Sequence, residues 1–109
     1  MSGELERQLE ATAELVCQRL SMGDRAEVPR EVDHSATFRT QAAAKAAAAA
    51  LATLGYDLGV HRRWFRTVVE FTHVTAVDHN TAAAFTREVI PVIEQHGGEY
   101  DGWGATLEE

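Results

Sequence analysis

The chain has 109 residues and a 45% apolar share, which suits one folded domain over 1–109 and is too high for disorder. A formal net charge of -7 argues against unaided binding to nucleic acid, because phosphate contacts need a positive face. The single cysteine, Cys17, leaves no partner for an internal disulfide or a thiolate metal site.

Residues 3–21 are expected to form a helix, with Leu5, Leu9, Ala13, Val16 and Leu20 along one face and Glu4, Glu6, Arg7, Glu10 and Glu14 along the rest. Gly23 ends it, and the charged, Pro29-broken segment 24–32 reads as a linker. Residues 34–39 are a short strand candidate. Thr40 caps a second, almost purely alanine helix running to Leu54 and closed by Gly55. Its lack of bulk predicts close approach to whatever it packs on. Alternation in YDLGV gives a second strand. A turn at 61–63 leads into a third strand over 63–74, with Phe65, Val69 and Phe71 on one face. Asp78 caps a third helix over 79–96, which Pro91 is expected to kink and Gly97 to end. The segment GGEYDGWG that follows supplies the last strand.

The order is a helix followed by two β-α-β units over 33–109. It predicts an α+β fold, a ferredoxin-like βαββαβ sandwich. Its four-stranded antiparallel sheet carries two helices on one face, with the N-terminal helix as an addition. Right-handed crossovers place the first and third strands in the centre and the last strand at an edge.

The residues offer little catalytic chemistry. HExxH, CxxC, GxSxG, a Walker loop and a strand-following GxGxxG are all missing. His73, Asp78 and His79 could ligate a metal, but Asp78 is better explained as a helix cap. Asp57 and Asp101 read as solvated strand-end carboxylates, and the cluster HRRWFR at 61–66 reads as a hairpin turn rather than an RNA-binding patch. The acidic N-terminus lacks the apolar core of a signal peptide, and the apolar run 46–52 is too short for a bilayer. A cytoplasmic protein is expected. Acids on the first helix and at the C-terminal end (Glu4, Glu6, Glu10, Glu14, Glu99, Asp101, Glu108, Glu109) form either a solvated face or a docking face for a basic protein segment.

The segment GEYDGWGATLE, with Tyr100, Asp101, Gly102, Trp103 and Gly104, and the LGY element at Leu54, Gly55 and Tyr56, resemble the bacterial family called regulator of ribonuclease activity B. The helix-first order agrees as well. The resemblance implies a non-enzymatic protein that binds ribonuclease E and alters transcript decay, with a ferredoxin-like sandwich and no cofactor. Partner binding is expected at Glu99, Tyr100, Asp101, Trp103 and Glu108, with the Trp103 ring read either as core or as a recognition anchor. The alternative is a small ligand-binding or enzymatic domain using the open sheet face. A homodimer sealed through that face or through an edge strand is a further possibility.

Overall fold

A computed structural model describes residues 3–109. It has three helices and four strands: α1 (Gly3–Ser21), β1 (Arg30–Phe38), α2 (Gln41–Thr53), β2 (Asp57–Arg63), β3 (Arg66–Thr75), α3 (His79–Gln95) and β4 (Glu99–Gly104). The strands form one antiparallel sheet in the order β2-β3-β1-β4, so the first and third strands are central and the other two are edges. This is an α+β fold, with the edge position of β4 as expected.

Local signals set the helix ends. Thr40 Oγ1 accepts the Ala43 amide at 3.1 Å, and Asp78 accepts the Thr81 amide at 2.9 Å, each satisfying a donor that the first turn leaves open. All three helices stop two residues before a glycine in the left-handed region: Gly23, Gly55 and Gly97. In each case the next amide reaches back five residues to a carbonyl of the last turn: Asp24 to Arg19, Tyr56 to Leu51, Gly98 to Ile93. Pro91 lies inside α3 without ending it.

The helices gather on one face of the sheet. Along β1 every second residue is buried, from Arg30 through Val32, His34 and Ala36 to Phe38. The main core joins Ala36 and Phe38 to Val69 and Phe71 of β3, to Ala44, Ala47 and Leu51 of α2, and to Val89, Ile90 and Ile93 of α3, while Val32 packs in a second cluster with Val16, Val77 and Phe85. Alanine on α2 is the close-packing side, as its composition predicted. Gly98 is required by the same closeness: a Cβ there would sit 2.3 Å from the Phe38 ring. The opposite face carries Glu31, Asp33, Glu70 and Val74 into solvent.

Four expectations are corrected. β1 begins at Arg30, not at residue 34, so the second half of the supposed linker is strand. There Val32 pairs with His73 and the Arg30 side chain is buried, which binds the segment to the sheet despite its charges. The β2–β3 turn is Trp64–Phe65, not 61–63, and Arg63 pairs with Arg66 across it. Phe65 therefore leaves the inner face and is 89% exposed. Finally, α1 is rolled so that Thr12, Val16 and Arg19 are inward, while Ala13 and Leu20 face solvent. Polar partners decide that roll. Thr12 Oγ1 lies 2.9 Å from Thr86 Oγ1 of α3, and Arg19 is held by C-terminal carbonyls. Among the described residues no helix is long and apolar enough to cross a membrane.

Candidate partner-binding surface

The closing strand is built around a bulge. Ala36 of β1 pairs with Tyr100 and His34 pairs with Trp103, so two residues on β1 span three on β4. In a regular strand residues 100 and 102 would share a face. The extra residue shifts that phase, and both aromatic rings point under the helices. Gly102 supplies the unusual backbone, with φ +109°, and Asp101 is turned out to solvent. The order Tyr-Asp-Gly-Trp is thus the wording of a bulged strand with two inward anchors.

Trp103 is half-buried between α1 and α3. Its indole Nε1 donates to Thr12 Oγ1 at 3.3 Å, and the edge of Phe85 meets it at 5.3 Å between centroids. The Arg19 guanidinium lies 5.8 Å from its ring centre, within cation–π range. The same Arg19 donates to the carbonyls of Ala105 and Thr106 at 2.9 and 2.6 Å. Arg30 also reaches the Thr106 carbonyl, at 3.0 Å, and pairs with buried Asp24. Burial pushes the Asp24 carboxyl up, but the Glu108 amide and the Arg30 and Arg19 guanidiniums outweigh it and hold it below the ordinary carboxylate range. Two arginines and one aspartate therefore strap residues 105–108 onto the start of β1.

Between α1 and β4 lies a recess of about 230 Å³, lined by Gln8, Ala11, Thr12, Leu15, Asp101, Gly102 and Trp103. Gln8 Nε2 also spans it to the Tyr100 carbonyl at 3.5 Å. Glu6, Glu10 and Glu14 are exposed on α1. Partial burial first, and Glu99 second, push the Asp101 carboxyl up, while Arg66 pulls it down. The recess thus has an apolar floor and acids nearby.

The five residues expected at a partner surface fall in different places. Asp101 and Trp103 line the recess together. Glu99 is exposed at the other end of β4, 3.5 Å from Arg66. Glu108 is half-buried on the strap, where its amide donates to Asp24 at 2.8 Å. Tyr100 is 6% exposed and looks inward.

What Tyr100 meets there was not read from the sequence. Its hydroxyl is 2.7 Å from His34 Nδ1, and His34 Nε2 is 2.9 Å from His73 Nε2. The two facing nitrogens hold one proton between them, which fits two neutral rings. Burial first, then His73, lowers the His34 pKa from 6.5 to about 3. Burial lowers His73 as well, against the pull of Glu88. Burial raises the Tyr100 hydroxyl and, with help from Glu88, that of Tyr56, which donates to Glu88 at 2.7 Å. Parity within β1 would have put His34 inside with Val32 and Ala36. Its partners depend on sheet register, which no local pattern encodes. The three residues considered for a metal look to different partners: His73 to His34, Asp78 to Thr81, and His79 to Cys17 at 3.8 Å.

The chain matches the family model described as "Regulator of ribonuclease activity B" over residues 9–105, and it belongs to that family. The matched span runs from α1 through the whole of β4. No curated protein sequence is significantly similar to the chain.

Proposed function

We propose that this protein regulates a ribonuclease without being an enzyme itself, by binding the nuclease through the recess between α1 and β4. The family membership carries the regulatory half of this reading. The recess carries the rest: Trp103 is fixed as an apolar floor while Asp101 stands at its edge and α1 adds exposed acids. Such a surface suits a basic, partly apolar segment, with charge steering the encounter and the floor holding the complex. Ribonuclease E, named by the family resemblance, is the proposed nuclease, and the cytoplasm the proposed compartment. The βαββαβ portion from β1 to β4 is taken as the family's ferredoxin-like unit, with α1 as the added element that completes the recess.

The experiment is a pull-down and titration calorimetry with the host's ribonuclease E at low and moderate salt. Binding that weakens with salt and is lost in Asp101→Lys supports the proposal. Absence of binding at both salts rejects the named nuclease. A second reading, a small-ligand or catalytic domain, draws on another recess of about 220 Å³ where Tyr56, His73 and Glu88 converge beside Thr81 and Phe85. Loss of regulation in Glu88→Gln with nuclease binding intact would favour it.

A further inference from the structure

The β2 edge of the sheet lacks a bulge, a proline and a covering element, and its only usual protection is the charge of Asp57, Arg62 and Arg63. Unpaired edge strands invite pairing, and proteins blunt them with bulges, prolines or covering elements. β2 pairs with β3 in unbroken register from Asp57 to Arg63, contains no proline, and is exposed at every residue except half-buried Leu58. Its outer side is a regular seven-residue template.

Its charges are arranged for one kind of visitor. A strand pairing antiparallel with its own copy about Val60 sets residue 57 against 63, 58 against 62, and 59 against 61. Asp57 then meets Arg63 of the second copy twice across the two-fold axis. Val60 meets Val60, and no like charges oppose each other. Asp57 and Arg63 lie on the same sheet face, opposite Thr72 and Arg66 of β3, so their side chains project together. Among the described residues neither side chain makes a hydrogen bond or ion pair. Other registers fit worse. Sliding by two residues one way sets His61 against His61, with Arg63 against Gly59. Sliding the other way carries both Arg62 and Arg63 past the end of the partner strand.

The apolar surface points to the same place. Of the eight large apolar side chains that are exposed among the described residues, four lie at or beside β2: Leu54, Val60, Trp64 and Phe65, the last two 85% and 89% exposed. Under the Val60-centred register the Trp64–Phe65 turn of one copy falls opposite Tyr56 and Gly55 of the other, beside Leu54. Trp64 adopts φ +59° at a turn position where glycine or asparagine is the usual residue. A backbone of this kind is strained for a non-glycine residue, and docking of the ring would compensate for it.

We propose that two copies of this chain join through β2 in antiparallel register centred on Val60, making one continuous eight-stranded sheet. The recess between α1 and β4 is at the far edge, so each copy in the dimer keeps its proposed nuclease site free. The dimer stands or falls separately from that reading.

The test is sedimentation and light scattering of the full chain across a micromolar concentration series, with three charge variants. The wild type is expected at twice the 12.0 kDa chain mass. Asp57→Arg alone and Arg63→Asp alone should each raise the dimer dissociation constant about tenfold, because each change acts twice across the axis. The double variant Asp57→Arg/Arg63→Asp should restore it. All these positions are exposed, and unchanged circular dichroism checks folding. In a Cys17→Ser background, Val60→Cys should oxidise to a disulfide-linked dimer. A monomeric wild type overturns the proposal, whether another protein's strand or nothing takes the edge. So does a dimer that ignores both single reversals.

Discussion

The two outer strands of the sheet are finished in opposite ways. β4 is six residues long, is broken by a bulge at Asp101–Gly102, and has α1 leaning over it, with Gln8 bonded to its backbone. β2 is seven residues long, regular and open. Each edge carries a tryptophan, and the two rings have opposite fates. Trp103 is turned inward by the bulge and gripped by Thr12, Phe85 and Arg19. Trp64 stands in solvent on a strained turn. An identical residue type at equivalent edges therefore has a packing role in one place and an unmet one in the other. The extra residue in β4, more than composition, makes the difference.

The largest expected contrast is between these rings. Trp103→Ala should cost about 3–5 kcal/mol, because it empties a site shared by two helices and removes the indole contacts of Thr12 and Arg19. Trp64→Gly should leave stability unchanged or raise it by up to about 1 kcal/mol, since glycine accepts the positive φ. Thermal melts at submicromolar concentration separate the two effects from any dimer.

The next contrast concerns acid. His34 binds its proton near pH 3 in the folded chain and near 6.5 when unfolded. The unfolded chain therefore takes up more protons between these values. Stability is full above about pH 6.5, falls by several kcal/mol as the pH drops towards 3, and falls no further from this group below that. His34→Gln, which keeps a neutral polar group beside Tyr100, should be less stable at pH 7 but should flatten the slope. Urea midpoints at several pH values measure it. A slope unchanged in His34→Gln would contradict the buried-histidine account.

A smaller effect is expected at the bulge. A Cβ at Gly102 meets nothing within 4 Å, so Gly102→Ala is opposed only by its φ of +109°. It should cost about 1–2 kcal/mol, whereas Gly59→Ala on β2, where no positive φ is required, should be near neutral. Equal costs would remove the distinction between the edges.

The contrast also marks what the sequence reveals. Thr40, Asp78 and the three terminating glycines announce the helices, because capping is local chemistry. The order of elements leads to the central and edge strands through crossover handedness. The beginning of β1 is hidden because Arg30 and Glu31 follow Pro29 and look like linker. Its inner row also contains His34 and Ala36 rather than large apolar residues. The hairpin is hidden because Trp64 and Phe65 are strand formers by propensity, and nothing local marks a tryptophan at positive φ. The roll of α1 is hidden because Thr12 and Arg19 earn their inward places from Thr86 and the C-terminal carbonyls, far away in sequence. At the candidate surface, Trp103 and Asp101 were legible as a motif. That Tyr100 belongs instead to a buried chain with His34 and His73 depended on register.

Binding of the nuclease by the α1–β4 edge, and not by acidity in general, remains a proposal. It is tested most directly by calorimetric titration of ribonuclease E with the wild type and two variants of equal charge change, Asp101→Lys in the recess and Glu70→Lys on the open face. Asp101→Lys is expected to weaken binding at least about tenfold, and Glu70→Lys to leave it within a factor of about two. Equal losses, or a loss confined to Glu70→Lys, would contradict the proposal.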